Sequence, residues 1–122
     1  MRVYIAHAVT NKNAAGRPLE TLVAWLSSEG HTLTEPKPHL HPGSWAHEAI
    51  KGIDTCELLL ADVSTYSHGV GFEIGYAYAK RKRLMITAFK SARISLFLQS
   101  LFPELCVYST AEELVEYLRA KM

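Results

Sequence analysis

Apolar positions in this 122-residue chain fall into short runs and stripes that alternate along its length. "RVYIAHAV" (2–9) is a β-branched and aromatic run that predicts a first central strand. The polar, glycine-bearing "NKNAAGR" separates it from "PLETLVAWLSSEG". There Leu19, Leu22, Val23 and Leu26 recur at helical spacing, Pro18 suits the first turn and Gly30 the C-terminal cap. "HTLT" predicts a short second strand. The three prolines of "EPKPHLHPGS" predict a loop. Ser44 then suits the cap of a helix through "WAHEAIKGIDT", whose end Gly52 weakens.

"CELLLADV" (56–63) is apolar without a break, as in a strand covered on both faces. "GVGFEIGYAYAKRK" then reads as a helix, "RLMITAF" as a fourth strand, "SARISLFLQSLF" as a short amphipathic helix and "ELCVYS" as a fifth strand. The last segment, "TAEELVEYLRAKM", carries Thr110 and Glu113 in capping-box positions. Strands alternating with helices across a single domain, residues 1–122, predict the α/β class. The expected architecture is a doubly wound, flavodoxin-like sheet of about five parallel strands with helices on both faces. Such sheets bind ligands outside the carboxyl ends of their strands, where strand order reverses. That rule gathers His7, Asp62, Ser64, Ser67 and the start of the glycine-rich helix, with Glu73 in its first turn.

Composition narrows the function. A formal charge of +1 leaves no electrostatic footprint for nucleic acid, and the cluster Lys80-Arg81-Lys82-Arg83 suits a helix C-terminus. Cys56 and Cys106, without CxxC spacing, read as buried free thiols of a reducing, cytoplasmic setting. No apolar run reaches membrane-spanning length, and with Met1 leading straight into a strand no signal peptide is expected. Among six histidines, His31, His39, His41 and His47 have no acidic or cysteine partner at a recognised spacing, so neither metal nor cofactor is expected. The proline-rich loop suits a lid, with Trp45 anchoring its end.

The chemistry concentrates in "SHGVGFEIGYAYA" (67–79). Gly69 and Gly71 at a helix start, with the Ser67 hydroxyl, make a small phosphate cradle. Helix-on-sheet packing would call for Gly71 and Gly75 without any ligand. Glu73 is harder to explain, because it stands among Val70, Phe72, Ile74 and Tyr76. It is either a capping carboxylate or a group that attacks an anomeric carbon or activates water.

The stretch "LLLADVSTYSHGVGFEIGYAYAKRKRLMI" resembles the signature region of the nucleoside 2-deoxyribosyltransferase superfamily. It is most similar to the nucleoside 5'-monophosphate N-glycosidase branch, in which (A)(D/E)V-x-x-x-S-x-G-V-G-(Y/F)-E-(L/I)-G recurs. The match runs without a gap through roughly a quarter of the chain. The resemblance implies a catalytic nucleophile at Glu73, which forms a glycosyl-enzyme intermediate resolved by water or by a second base. It implies that Ser67, Gly69 and Gly71 hold the 5'-phosphate and that Tyr4 lines the sugar–base pocket. Arg93 and Ser95 fall near a segment that reaches a partner protomer's phosphate, in a homodimer or higher oligomer. Deoxyribosyltransferases acting on free nucleosides usually carry an acid where Ser67 stands. The chain departs from the family at Ala49, where an aspartate is usual twenty-four positions before the glutamate. The neighbouring Glu48 points about 100° away on a helix; His47 is also near. His7 replaces part of a Gly-Ser turn and is a candidate either to donate to the leaving base or to contact the phosphate. Asp62 either supports the loop or touches the sugar. The expectation is therefore an enzyme cleaving the N-glycosidic bond of a nucleoside 5'-monophosphate, with Glu73, Glu48 and His7 as catalytic candidates. The alternative is a nucleotide-binding or sensing module on the same fold, and a third reading has all these groups satisfied internally.

Overall fold

The computed structural model describes residues 1–8, 19–35 and 42–122. Its elements run β1 (Arg2–Ala6), α1 (Leu19–Ser28), β2 (Thr32–Thr34), α2 (Pro42–Thr55), β3 (Leu58–Asp62), α3 (His68–Ala79), β4 (Arg83–Phe89), α4 (Leu96–Leu101), β5 (Cys106–Tyr108) and α5 (Ala111–Lys121). The strands form one sheet in the order β2-β1-β3-β4-β5, and every neighbouring pair is parallel.

Side chains alternate across a strand, so each central strand feeds both faces of the sheet. Val3 and Ile5 of β1 join Leu58 and Leu60 of β3 against Leu22 and Leu26 of α1 and Leu114 and Leu118 of α5. On the other face Tyr4, Ala6, Leu59 and Ala61 meet Ile53 of α2 and Val70, Ile74 and Ala77 of α3. β3 is buried at every position, which is why its sequence shows no alternation. The chain leaves β1 toward one edge of the sheet and leaves β3 toward the other. Strand order therefore reverses between β1 and β3, and in such sheets ligands bind at the carboxyl ends of the strands flanking that point.

Several boundaries differ from the sequence-based expectation. The β1–β3 ladder ends at Ala6↔Ala61, so His7 and Ala8 lie buried beyond the strand rather than within it. Helix α2 begins at Pro42, two positions before Ser44, because proline's fixed φ suits a first helical position. Helix α3 begins at His68, capped by Ser67, whose Oγ accepts from the Val70 N–H at 3.3 Å. Glu73 therefore sits in the second turn, not the first, and no carboxylate occupies the first turn. Helix α4 starts only at Leu96, where Ser95 Oγ accepts from the Leu98 N–H at 3.4 Å. The expectations for Pro18, the "NKNAAGR" loop, His39, His41 and the lid over 36–41 lie outside the described residues.

Gly30, at φ +87°, terminates α1 as its position predicts. The basic cluster is divided among structural tasks: Lys80 caps α3, and Lys82 Nζ donates to the carbonyls of Asp54 (2.7 Å) and Cys56 (3.1 Å) at the end of α2. No helix among the described residues is long and apolar enough to cross a membrane.

Candidate active site

Glu73 is 7 % exposed and projects from α3 toward β1, where the Tyr4 hydroxyl donates to its Oε2. Tyr4 is fully buried at the centre of the sheet, held between β2 and β3 by its pairings with Thr34 and Leu59. Burial pushes the Glu73 carboxyl above its ordinary range, while the Tyr4 hydrogen bond and the nearby His7 imidazole pull it back. Burial, with Glu73 beside it, pushes the Tyr4 phenol far up, so it stays a donor. Among the described residues, Trp25 Nε1 is the buried side-chain nitrogen or oxygen that lacks a partner. The second Glu73 oxygen is thus not sealed in. The result is one carboxylate, oriented by one fixed phenol, in a site that opposes its ionisation.

His7, past the end of β1, places Nε2 at 2.6 Å from Glu35 Oε1 and Nδ1 at 3.1 Å from the Ala8 carbonyl oxygen. Glu35 follows β2 in the proline-rich stretch, and nothing in its local pattern marks it as this histidine's partner. Asp62, 4 % exposed at the end of β3, accepts three hydrogen bonds. Oδ2 takes the Thr87 hydroxyl at 3.0 Å and the Tyr108 hydroxyl at 2.7 Å, and Oδ1 takes the Ser64 N–H at 3.1 Å. Ser64 Oγ in turn accepts from the Phe89 N–H at 2.8 Å. Asp62 thereby ties the start of the β3–α3 loop to β4 and β5, which is a supporting role. On α2, Ala49 turns into the core beside Ile53, whereas His47 and Glu48 are exposed.

The opposite side of α3 faces a groove of about 760 Å³ against α4. Ser67, Gly71 and Gly75 line it from α3 and its cap, and Arg93, Ser95 and Phe97 from the α4 side. Four of the expected phosphate-binding residues thus come together, on a different face of α3 from Glu73. Gly69 lies in the first turn, exposed, where a Cβ would meet only Ser67 Oγ at 3.8 Å. A Cβ at Gly71 or Gly75 would meet nothing within 4 Å. Packing on the sheet therefore does not account for these two glycines. A smaller hollow of about 390 Å³, between Arg83, Pro103 and Tyr117, lies at the far end of β4. No group of three or more His, Cys, Asp or Glu among the described residues is placed to hold a metal ion.

The buried carboxyl carries a pH signature. Because Glu73 holds its proton to higher pH when folded than its ordinary value of 4.5, the native state binds more protons than the unfolded one above that value. Stability then falls as pH rises through the window up to the folded pKa. Glu73→Gln keeps an acceptor for Tyr4 and removes the titration. Its melting temperature should match wild type below the ordinary carboxyl range and exceed it increasingly as pH rises through the window up to the folded pKa. Thermal melts at matched ionic strength check this, and parallel curves would contradict it.

No protein-family model matches the chain, and no curated protein does. Among solved structures, that of the Clostridium botulinum CMP N-glycosidase BcmB matches with a TM-score of 0.81, covering 100% of both chains at 20% identity. The structure of a 2-deoxyribosyltransferase from the psychrotolerant bacterium Bacillus psychrosaccharolyticus matches with a TM-score of 0.59. It covers 82% of this chain and 81% of that one, at 15% identity. At such identities the likeness is one of fold, over the whole chain in the first case and 82% of it in the second.

Proposed function

We propose that the chain is a member of the nucleoside 2-deoxyribosyltransferase superfamily that cleaves the N-glycosidic bond of a nucleoside 5'-monophosphate. The observation that carries this reading is the Tyr4–Glu73 pair, a desolvated carboxylate in a fold shared end to end with a CMP N-glycosidase. In the first step a Glu73 oxygen bonds to C1' through an oxocarbenium-like transition state. The C1'–N bond breaks, and its electron pair leaves with the base. The base needs a proton, and His7 is the better-supported donor: it is buried and felt by Glu73, whereas Glu48 is exposed on α2. Water then gives a proton to His7, now neutral, and attacks C1' as the C1'–Glu73 oxygen bond breaks, releasing the pentose 5-phosphate and regenerating the carboxylate; a second base in its place gives transfer. The phosphate falls to Ser67, Gly69 and Gly71 at the start of α3, while Arg93 and Ser95, in the groove on the other side of that helix, serve a partner protomer's phosphate.

A homodimer belongs to this reading. Leu96 and Phe97 are 82% and 72% exposed, and the bare glycines at 71 and 75 allow a second backbone to approach the groove. Phe97→Glu should convert a dimer to a monomer in sedimentation velocity and lower turnover with it. A monomeric wild type would contradict the assembly. The free, buried Cys56 and Cys106 fit the reducing compartment proposed for it.

The second reading, a nucleotide sensor without turnover, is favoured by Ala49, an inert side chain where the family aspartate is expected. One assay separates the two. Wild-type protein incubated with a panel of ribo- and deoxyribonucleoside 5'-monophosphates should release free base from one or two of them. Calorimetric binding without release would establish the sensor.

A further inference from the structure

Gly52 lies inside α2, where glycine is a poor choice, and its backbone is not in the left-handed region that would require it. Space explains it. A Cβ built at residue 52 would stand 2.9 Å from Tyr4 Cε2, 3.0 Å from Tyr4 Cδ2 and 3.0 Å from Thr34 Cγ2. The Tyr4 ring, 0% exposed, cannot step aside cheaply, whereas Thr34, exposed on the edge strand, can turn its methyl away. Tyr4 and Thr34 are register partners across the β1–β2 ladder, and Tyr4 is also paired to Leu59 of β3. The Tyr4 ring is fully buried in the cluster that includes Ala49, Ile53 and Ile74. Its hydroxyl is the one that donates to Glu73.

We propose that Gly52 is a positioning residue for the nucleophile: its missing side chain lets the Tyr4 ring lie where the hydroxyl reaches Glu73. Helix α2 thus aims a group on α3 through an intermediary on β1. The inference deepens the glycosidase reading above and rests on it for its catalytic meaning, although the contact chain stands without it. Two groups act on the Glu73 charge, Tyr4 from β1 and His7 from the end of that strand. Displacing the Tyr4 hydroxyl removes the first and leaves the second.

The test is a ¹³C NMR titration of Glu73, labelled at the side-chain carboxyl carbon, in wild type, Gly52→Ala, Tyr4→Phe and the double variant. Turnover is measured on the same four proteins. Gly52→Ala should raise the Glu73 midpoint in the direction that Tyr4→Phe raises it, and the double variant should move no further than Tyr4→Phe alone. In turnover, kcat should fall by about a hundredfold with KM little changed, as misplacement of a reacting group does, again without adding to Tyr4→Phe. The ring-on-methyl contact persists in the Phe background, so a loss of melting temperature should recur there. A midpoint that stays at wild type in Gly52→Ala overturns the proposal whatever the activity. Shifted midpoints with no base release from any of the four, wild type included, support the positioning and sink the glycosidase reading. If Gly52→Ala alone does not fold, Tyr4→Leu/Gly52→Ala decides. A cooperative melt regained on removing the ring supports the proposal. Failure to regain it, while Tyr4→Leu alone folds, overturns it.

Discussion

Glu73→Ala should reduce kcat/KM for base release by roughly 10⁴-fold or more, the scale on which removing a single member of a covalent mechanism acts. Glu73→Gln should lose as much. It is isosteric, keeps an acceptor for the Tyr4 hydroxyl and leaves the packing of α3 on β1 intact, but an amide does not attack C1'. Equal losses in the two variants, read by chromatography of the free base, separate the nucleophile from the carboxylate's structural part. A Gln variant within tenfold of wild type would remove Glu73 from the chemistry. His7→Ala should cost less, about a hundredfold, because it acts on the leaving base rather than on C1'. Its deficit should shrink with a nitrophenyl pentoside 5-phosphate, whose leaving group needs no proton; an equal deficit on both substrates would deny it that role.

Asp62→Ala should cost the most stability of any single polar change. It leaves the Thr87 and Tyr108 hydroxyls and the Ser64 N–H facing a vacated acceptor in a site 4 % exposed. Removing a buried acceptor costs about 1–3 kcal/mol for a donor it served, and hydroxyls that rotate to other acceptors recover part of it. A net loss of about 3 kcal/mol is expected, with a fall in melting temperature of roughly 12 °C for a chain of this size. Asp62→Asn should cost about half as much, since its carbonyl keeps the Ser64 N–H while the two hydroxyls turn to accept from the amide. Urea unfolding with both variants checks the order. Losses below about 1 kcal/mol in Asp62→Ala would mean that the loop after β3 is not held by this carboxylate. Because that loop leads to Ser67, the same variant should weaken nucleotide binding even where the protein stays folded.

The strands and helices were readable because local periodicity writes them. The unbroken run at 56–63 became a central strand buried at every position, and the stripe at Leu19, Leu22 and Leu26 became the inner face of α1. Ends were less readable. Residues 91–95 continue an amphipathic pattern but stay outside the helix until Ser95 caps it, and His7 and Ala8 prolong the buried run of β1 past Ala6↔Ala61, where its pairing with β3 stops. The oddity of Glu73 was visible in its neighbours, yet its contact with Tyr4 was not, because no spacing rule joins a strand residue to a helix residue far along the chain. Gly52 read as a weak helix end, and a glycine inside a helix was a signal of close approach. What approached it needed the sheet register. The pairing of His7 with Glu35 had no signal at all, since it depends on where β1 and β2 finish side by side.

The hydrogen bond from Tyr4 to Glu73 joins residues 69 positions apart. Contacts of that span form late, after the intervening strands have been brought alongside, because their loop-closure entropy comes first. During synthesis the first strand is complete long before the ribosome has made the helix that carries the glutamate. A nascent or clipped chain lacking α3 would therefore hold neither partner in place. On the proposed reading, reactivity arrives only with the finished tertiary structure, so a partly folded molecule has no dry, aimed carboxylate with which to attack a nucleotide.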